Sequence, residues 1–101
     1  MIIYKAITSA TTTTLIERGY KDNGNINKIT ICNNSANAAT GISVHIWSGV
    51  GGESIHAFAH NVTIPSGVTL VLEDNIVFDA NKYKLRISNA GTDPDLTVII
   101  K

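Results

Sequence analysis

Ile26-Asn27-Lys28-Ile29-Thr30-Ile31-Cys32-Asn33-Asn34-Ser35, followed after a short Ala/Asn segment by Gly41-Ile42-Ser43-Val44-His45-Ile46-Trp47, is the stretch that decides the fold class. Aliphatic residues recur at every second position, the period of a strand with one buried face. Ile29 and Ile31 share one face, with Lys28, Thr30 and Cys32 on the other. Ile42, Val44 and Ile46 point to the core, while Ser43, His45 and Trp47 point away. Small polar residues between the two runs carry the chain across a loop.

The same grammar extends in both directions. Upstream, Ile2 to Thr8 reads as a strand, and β-branched Thr11 to Thr14 favours extended backbone running on into Leu15-Ile16. Residues 1–18 are read as an extended N-terminal strand or an arm along a sheet edge. An arm would be removable without unfolding the domain. Asp22-Asn23-Gly24 is a turn signal. Downstream, Ser48 to Gly52 reads as a hairpin tip, and Ser54 to Ile64 as a strand with a bulge near His60-Asn61, where the apolar phase changes. Pro65-Ser66-Gly67 turns the chain into Val68 to Glu73, with Val68, Leu70 and Leu72 inward. After a turn at Asp74-Asn75 come Ile76 to Phe78, Tyr83 to Asn89 with Leu85 and Ile87 inward, and Leu96 to Lys101. Seven to nine short antiparallel strands at this spacing predict an all-β sandwich, jelly-roll-like, with 1–101 as a single domain.

Composition narrows the function. Eight basic and eight acidic residues cancel, unlike a domain that neutralises phosphates, so nucleic acid is not an expected partner. Charged residues are only 16% of the chain, and Thr, Asn and Ser build the polar surface instead. Such short side chains lose little entropy when immobilised in contacts. No apolar run approaches membrane-spanning length, and the first residues lack the pattern of a signal peptide. A protein made in a cytoplasm, with no membrane partner, is expected. Folded surface should be about 5,500 Å².

Chemistry is sparse. The single cysteine, Cys32, cannot form an internal disulfide and reads as a half-buried small hydrophobe. His56 and His60 would share a strand face about 13 Å apart, too far for one ion. No metal site, cofactor or catalytic set is expected, and the chain is read as not an enzyme. Lys82, Lys84 and Arg86 alternate along one face, as charges that discourage pairing at a sheet edge. Trp47 points outward, so it either packs under the N-terminal segment or anchors an interface. Trp47, His45, Tyr4, Thr12 and Thr14 are the candidate interface residues.

From Ile26 to Ile100 the order of motifs resembles small virion structural proteins of tailed bacteriophages, especially phages of marine bacteria. The matching pieces are the Ile29-Thr30-Ile31-Cys32-Asn33 strand, Val44-His45-Ile46-Trp47 with its Gly-rich tip, Ile64-Pro65-Ser66-Gly67-Val68-Thr69-Leu70-Val71-Leu72, Ile76-Val77-Phe78-Asp79-Ala80-Asn81-Lys82-Tyr83-Lys84-Leu85-Arg86-Ile87-Ser88 and the terminal Leu96-Thr97-Val98-Ile99-Ile100. The resemblance implies a β-sandwich located in the virion and made in the host cytoplasm. Its partners would be itself, as a homo-oligomer such as a trimer, and the phage major capsid protein or another virion protein. Capsid decoration or cementing is the expected role; a tail, neck or fibre component and a carbohydrate-binding module are the alternatives.

Overall fold

The computed structural model describes residues 2–20, 25–48, 54–73 and 76–101. All elements among them are strands: β1 (Ile3–Ile7), β2 (Thr12–Ile16), β3 (Asn25–Ile26), β4 (Ile29–Asn33), β5 (Ala39–Ser48), β6 (Ser54–Ile64), β7 (Thr69–Leu72), β8 (Ile76–Val77), β9 (Tyr83–Ser88) and β10 (Leu96–Ile100). The turns expected at Asp22-Asn23-Gly24, Gly49 to Gly52 and Asp74-Asn75 lie outside the described residues.

Two four-stranded antiparallel sheets form the sandwich, in the orders β1-β10-β4-β7 and β2-β9-β5-β6, and the short β3-β8 pair forms a third ladder. Apart from the β5-β6 hairpin, each connection between consecutive strands of the large sheets crosses from one sheet to the other. That alternation makes the jelly roll. Period-two patterning explains the enclosure: Ile29, Ile31, Leu96, Val98 and Ile100 from the first sheet face Ile42, Val44, Leu85 and Ile87 from the second, all at most 1% exposed. The accessible surface is 5375 Å², close to the size expectation.

The N-terminal segment holds two sheet strands, Ile3–Ile7 and Thr12–Ile16, and is not an arm. β1 pairs with β10 from Ile3↔Ile100 to Ile7↔Leu96, and β2 pairs with β9. Ile7, Leu15 and Ile16 are buried in the core, a placement that an arm lying over neighbours would not give them.

Three further expectations are corrected. Val68 is exposed, because its N–H closes the Pro65 turn (3.1 Å to the Pro65 carbonyl) instead of starting β7. β9 lies between β2 and β5, so Lys84 and Arg86 protect no sheet edge. His56 and His60 do not share a face. A shift in the β5-β6 register at Phe58 sets Val44 opposite Ala59 but His45 opposite Ala57, and the extra residue inverts the alternation between the two histidines.

The expected bulge near His60-Asn61 is present. Asn61 adopts φ 52°, and its N–H donates to Ser43 Oγ at 2.9 Å. A second irregularity, missed in sequence, sits at Gly41, where the strand begins at Ala39 and not after a loop ending at Thr40. Gly41 has φ 63°, and a Cβ there would meet Ala90 Cβ at 3.0 Å. Gly41→Ala is expected to cost about 1–2 kcal/mol from the left-handed backbone alone, with the contact adding to it; thermal denaturation checks this.

At the open end, Asn33 ties the sheets together. Its side chain is fully buried. Nδ2 donates to the Ile64 carbonyl at 3.0 Å and the Asn37 carbonyl at 2.9 Å, and Oδ1 accepts from the Ser35 N–H at 3.0 Å.

Candidate functional site

Strand register sorts the surface into two outer faces. On the first sheet, Tyr4↔Ile99, Ile99↔Thr30 and Thr30↔Val71 form one cross-strand row, and Ala6↔Thr97, Thr97↔Cys32 and Cys32↔Thr69 the next. Both rows are uncharged. Tyr4 is 66% and Val71 43% exposed. At one end of this face Lys28 Nζ bridges Glu73 at 3.4 Å. Cys32 lies here, half-buried, with Sγ 3.4 Å from Asn34 Oδ1.

The outer face of the second sheet is chemically different. β5 presents Ser43, His45 and Trp47; β9 presents Ser88, Arg86 and Lys84 directly across; β2 presents Thr12 and Thr14 beside Ser88 and Arg86. Four of the expected interface residues, Trp47, His45, Thr12 and Thr14, therefore meet on one face. Tyr4 lies on the opposite side of the sandwich. Trp47 is covered not by the N-terminal segment but by Arg86, whose guanidinium carbon sits 4.7 Å from the ring centroid. The His45 and Trp47 rings are 5.0 Å apart.

This cluster is unusual in its hydrogen bonding. Trp47 Nε1, His45 Nε2 and Arg86 Nε are all buried without a hydrogen-bond partner. Each such group forfeits about 1–3 kcal/mol. The pattern of alternation locates these residues on a face; their missing partners have no sequence signal.

Burial lowers the His45 pKa from 6.5, and the Arg86 and His60 charges lower it further. Imidazole is therefore neutral at pH 7 in the fold and titrates more readily in the unfolded chain. Between the lowered value and 6.5 the unfolded state binds more protons, so stability is full above 6.5 and falls as the pH drops through that window. His45→Phe is expected to flatten this part of the stability–pH profile, which urea titration at several pH values measures.

Elsewhere the surface offers little chemistry. An open recess of about 200 Å³ is lined by Phe58, Val71, Leu72, Glu73 and Ile76; its carboxylate is the one bridged by Lys28. Among the described residues no group of three His, Cys, Asp or Glu is placed to hold a metal ion, and no helix is long and apolar enough to cross a membrane. The described aromatics do not line one groove, since Tyr4 and Trp47 occupy opposite faces, Phe78 is buried, and Tyr20, Phe58 and Tyr83 pack on the core.

No family model matches the chain, and no curated protein matches it. Solved structures share its architecture. PirA superposes with a TM-score of 0.52 at 12% identity, over 98% of this chain and 91% of that one. The Anabaena sensory rhodopsin transducer superposes with a TM-score of 0.50 at 12% identity, over 98% and 95%. A looser likeness, TM-score 0.45 at 14% identity, joins 98% of this chain to 27% of a chain in the structure of infectious bursal disease virus Gx strain. At such identities PirA and the transducer show that this chain is a jelly-roll β-sandwich, and the likeness extends to the fold alone.

Proposed function

We propose that the chain is a non-enzymatic virion structural protein of a tailed bacteriophage, acting as a capsid decoration or cement protein. It works as a symmetric homo-oligomer seated on the major capsid protein or another virion protein. The observation that carries this reading is the pair of uncharged rows on the outer face of the first sheet. Two in-register rows of Tyr, Ile, Val, Thr, Ala and Cys side chains extend across four strands without a charge. Such a face loses little entropy on contact and desolvates cheaply. The motif order from Ile26 to Ile100 supplies the phage context.

Two measurements test it. Tyr4→Glu and Val71→Lys place a charge at either end of the first uncharged row, and each is expected to shift the protein to monomer in sedimentation velocity without loss of fold. An unaltered oligomer rejects this face as the contact. Quantitative mass analysis of purified particles is expected to find hundreds of copies. Tens or fewer favour the tail, neck or fibre reading, and none removes the protein from the virion.

A further inference from the structure

The outer face of the second sheet carries a site that the adhesion reading does not use. We infer that His45, Trp47 and Arg86 form a carboxylate-binding site, in which the indole N–H, the imidazole Nε2 and the guanidinium Nε–H supply the hydrogen bonds that a bound carboxylate would accept.

His45 is 7% exposed, and its Nε2 lies buried without a partner beside two other orphaned nitrogens, Trp47 Nε1 and Arg86 Nε. Two of these are obligate donors and the third is a donor in one tautomer of imidazole. Three unmet donors within one cross-strand neighbourhood are costly, and an acceptor with several lone pairs offsets that cost. Carboxylate oxygens accept up to four hydrogen bonds and match the planar edge of a guanidinium.

Charge selects the same ligand. Among the described residues the only ion pair is Lys28–Glu73, on the other side of the sandwich, so no described carboxylate bridges Arg86 or Lys84. With imidazole neutral, one guanidinium faces the ligand directly, and Lys84 lies next along β9 opposite Trp47. That set attracts an anion, and the planar guanidinium edge matches a carboxylate. Access requires the Arg86 side chain to swing from the indole, giving up the cation–π contact that holds it there. Thr12, Thr14, Ser43 and Ser88 surround the cluster with hydroxyls and add no competing negative charge.

Among the described residues, the charged and titratable groups acting on His45 are Arg86 from β9 and His60 from β6. A bound carboxylate opposes both repulsions, so binding should strengthen as the pH falls and His45 takes a proton.

The experiment uses the intact chain and nitrogen-resolved NMR. Trp47 is the only tryptophan, so its indole N–H signal is unambiguous. The probes are N-acetylglutamate α-amide, the matched glutamine derivative and glucuronate. A saturable shift of the indole and Arg86 Nε–H signals is expected with carboxylate probes. The glutamine derivative should give none, and apparent affinity should be several-fold higher at pH 5.5 than at pH 7.5. A response confined to the glutamate derivative identifies an acidic protein side chain as the source; one confined to glucuronate identifies an acidic sugar. Read on the indole signal in Arg86→Gln and on the Arg86 Nε–H signal in Trp47→Phe, the response should be abolished or weakened at least tenfold, with a retained cooperative melt confirming the fold. Equal shifts from the glutamine derivative, no shift from either carboxylate, or full response in both variants overturns the site. Because the assay uses isolated protein, its failure is separate from a failure of the virion reading, which particle composition tests.

Discussion

Removing residues 1–14 is expected to abolish the cooperative fold. The deletion takes away β1, the edge strand that covers β10, and three of the five residues of β2, which covers β9. Ile7 leaves the core with it, and Leu96, Leu85 and Ile87, all at most 1% exposed, lose neighbours. Each fully buried aliphatic side chain is worth about 1.5–3 kcal/mol. Exposing part of several of them matches a domain's whole stability of about 5–15 kcal/mol. Two new open edges would also invite aggregation. Far-UV circular dichroism and thermal melting of the truncated chain check this; a soluble product with a β spectrum and a sharp melt would make the first two strands an appendage.

Asn33→Ala is expected to be the most damaging single polar substitution. Asn33 sits on β4 of one sheet and bonds the Ile64 carbonyl on β6 of the other, along with Asn37 and Ser35 in the connecting loop. Alanine removes three hydrogen bonds and leaves backbone groups without partners, one of them in a buried contact. At about 1–3 kcal/mol for the buried carbonyl left unmet and about 0.5–1.5 kcal/mol for each of the two part-buried bonds, the cost is about 2–6 kcal/mol. With a urea slope of about 1–3 kcal/mol/M, the unfolding midpoint should fall by more than about 1 M. A midpoint within experimental error of the parent would mean that the loop relaxes or water replaces the amide.

The candidate site was only partly legible in the residues. Alternation put His45 and Trp47 on the outward side of β5, and the threonine run supplied Thr12 and Thr14. Which strand lies opposite β5 is a non-local matter, so Arg86 looked like an edge charge until β9 was found between β2 and β5. Tyr4 was grouped with Trp47 because both are large and outward, although the chain crosses between sheets after β1 and separates them. His56 and His60 failed for a related reason: one inserted residue at Phe58 reverses the alternation between them, and no composition cue marks it. The Asn61 bulge was legible, since the apolar phase visibly changes there and asparagine accepts positive φ.

From the residues alone, this chain was bound to be all-β, with its aliphatic positions turned inward and its punctuation at Pro65-Ser66-Gly67 and similar turns, because period-two burial and turn chemistry act within a few residues. Packing chose the partners. Ile3 meets Ile100, and Arg86 meets His45 and covers Trp47, only because two sheets closed over one core. Those pairings span tens of residues, and their free energy lies in shared burial, which no local pattern encodes.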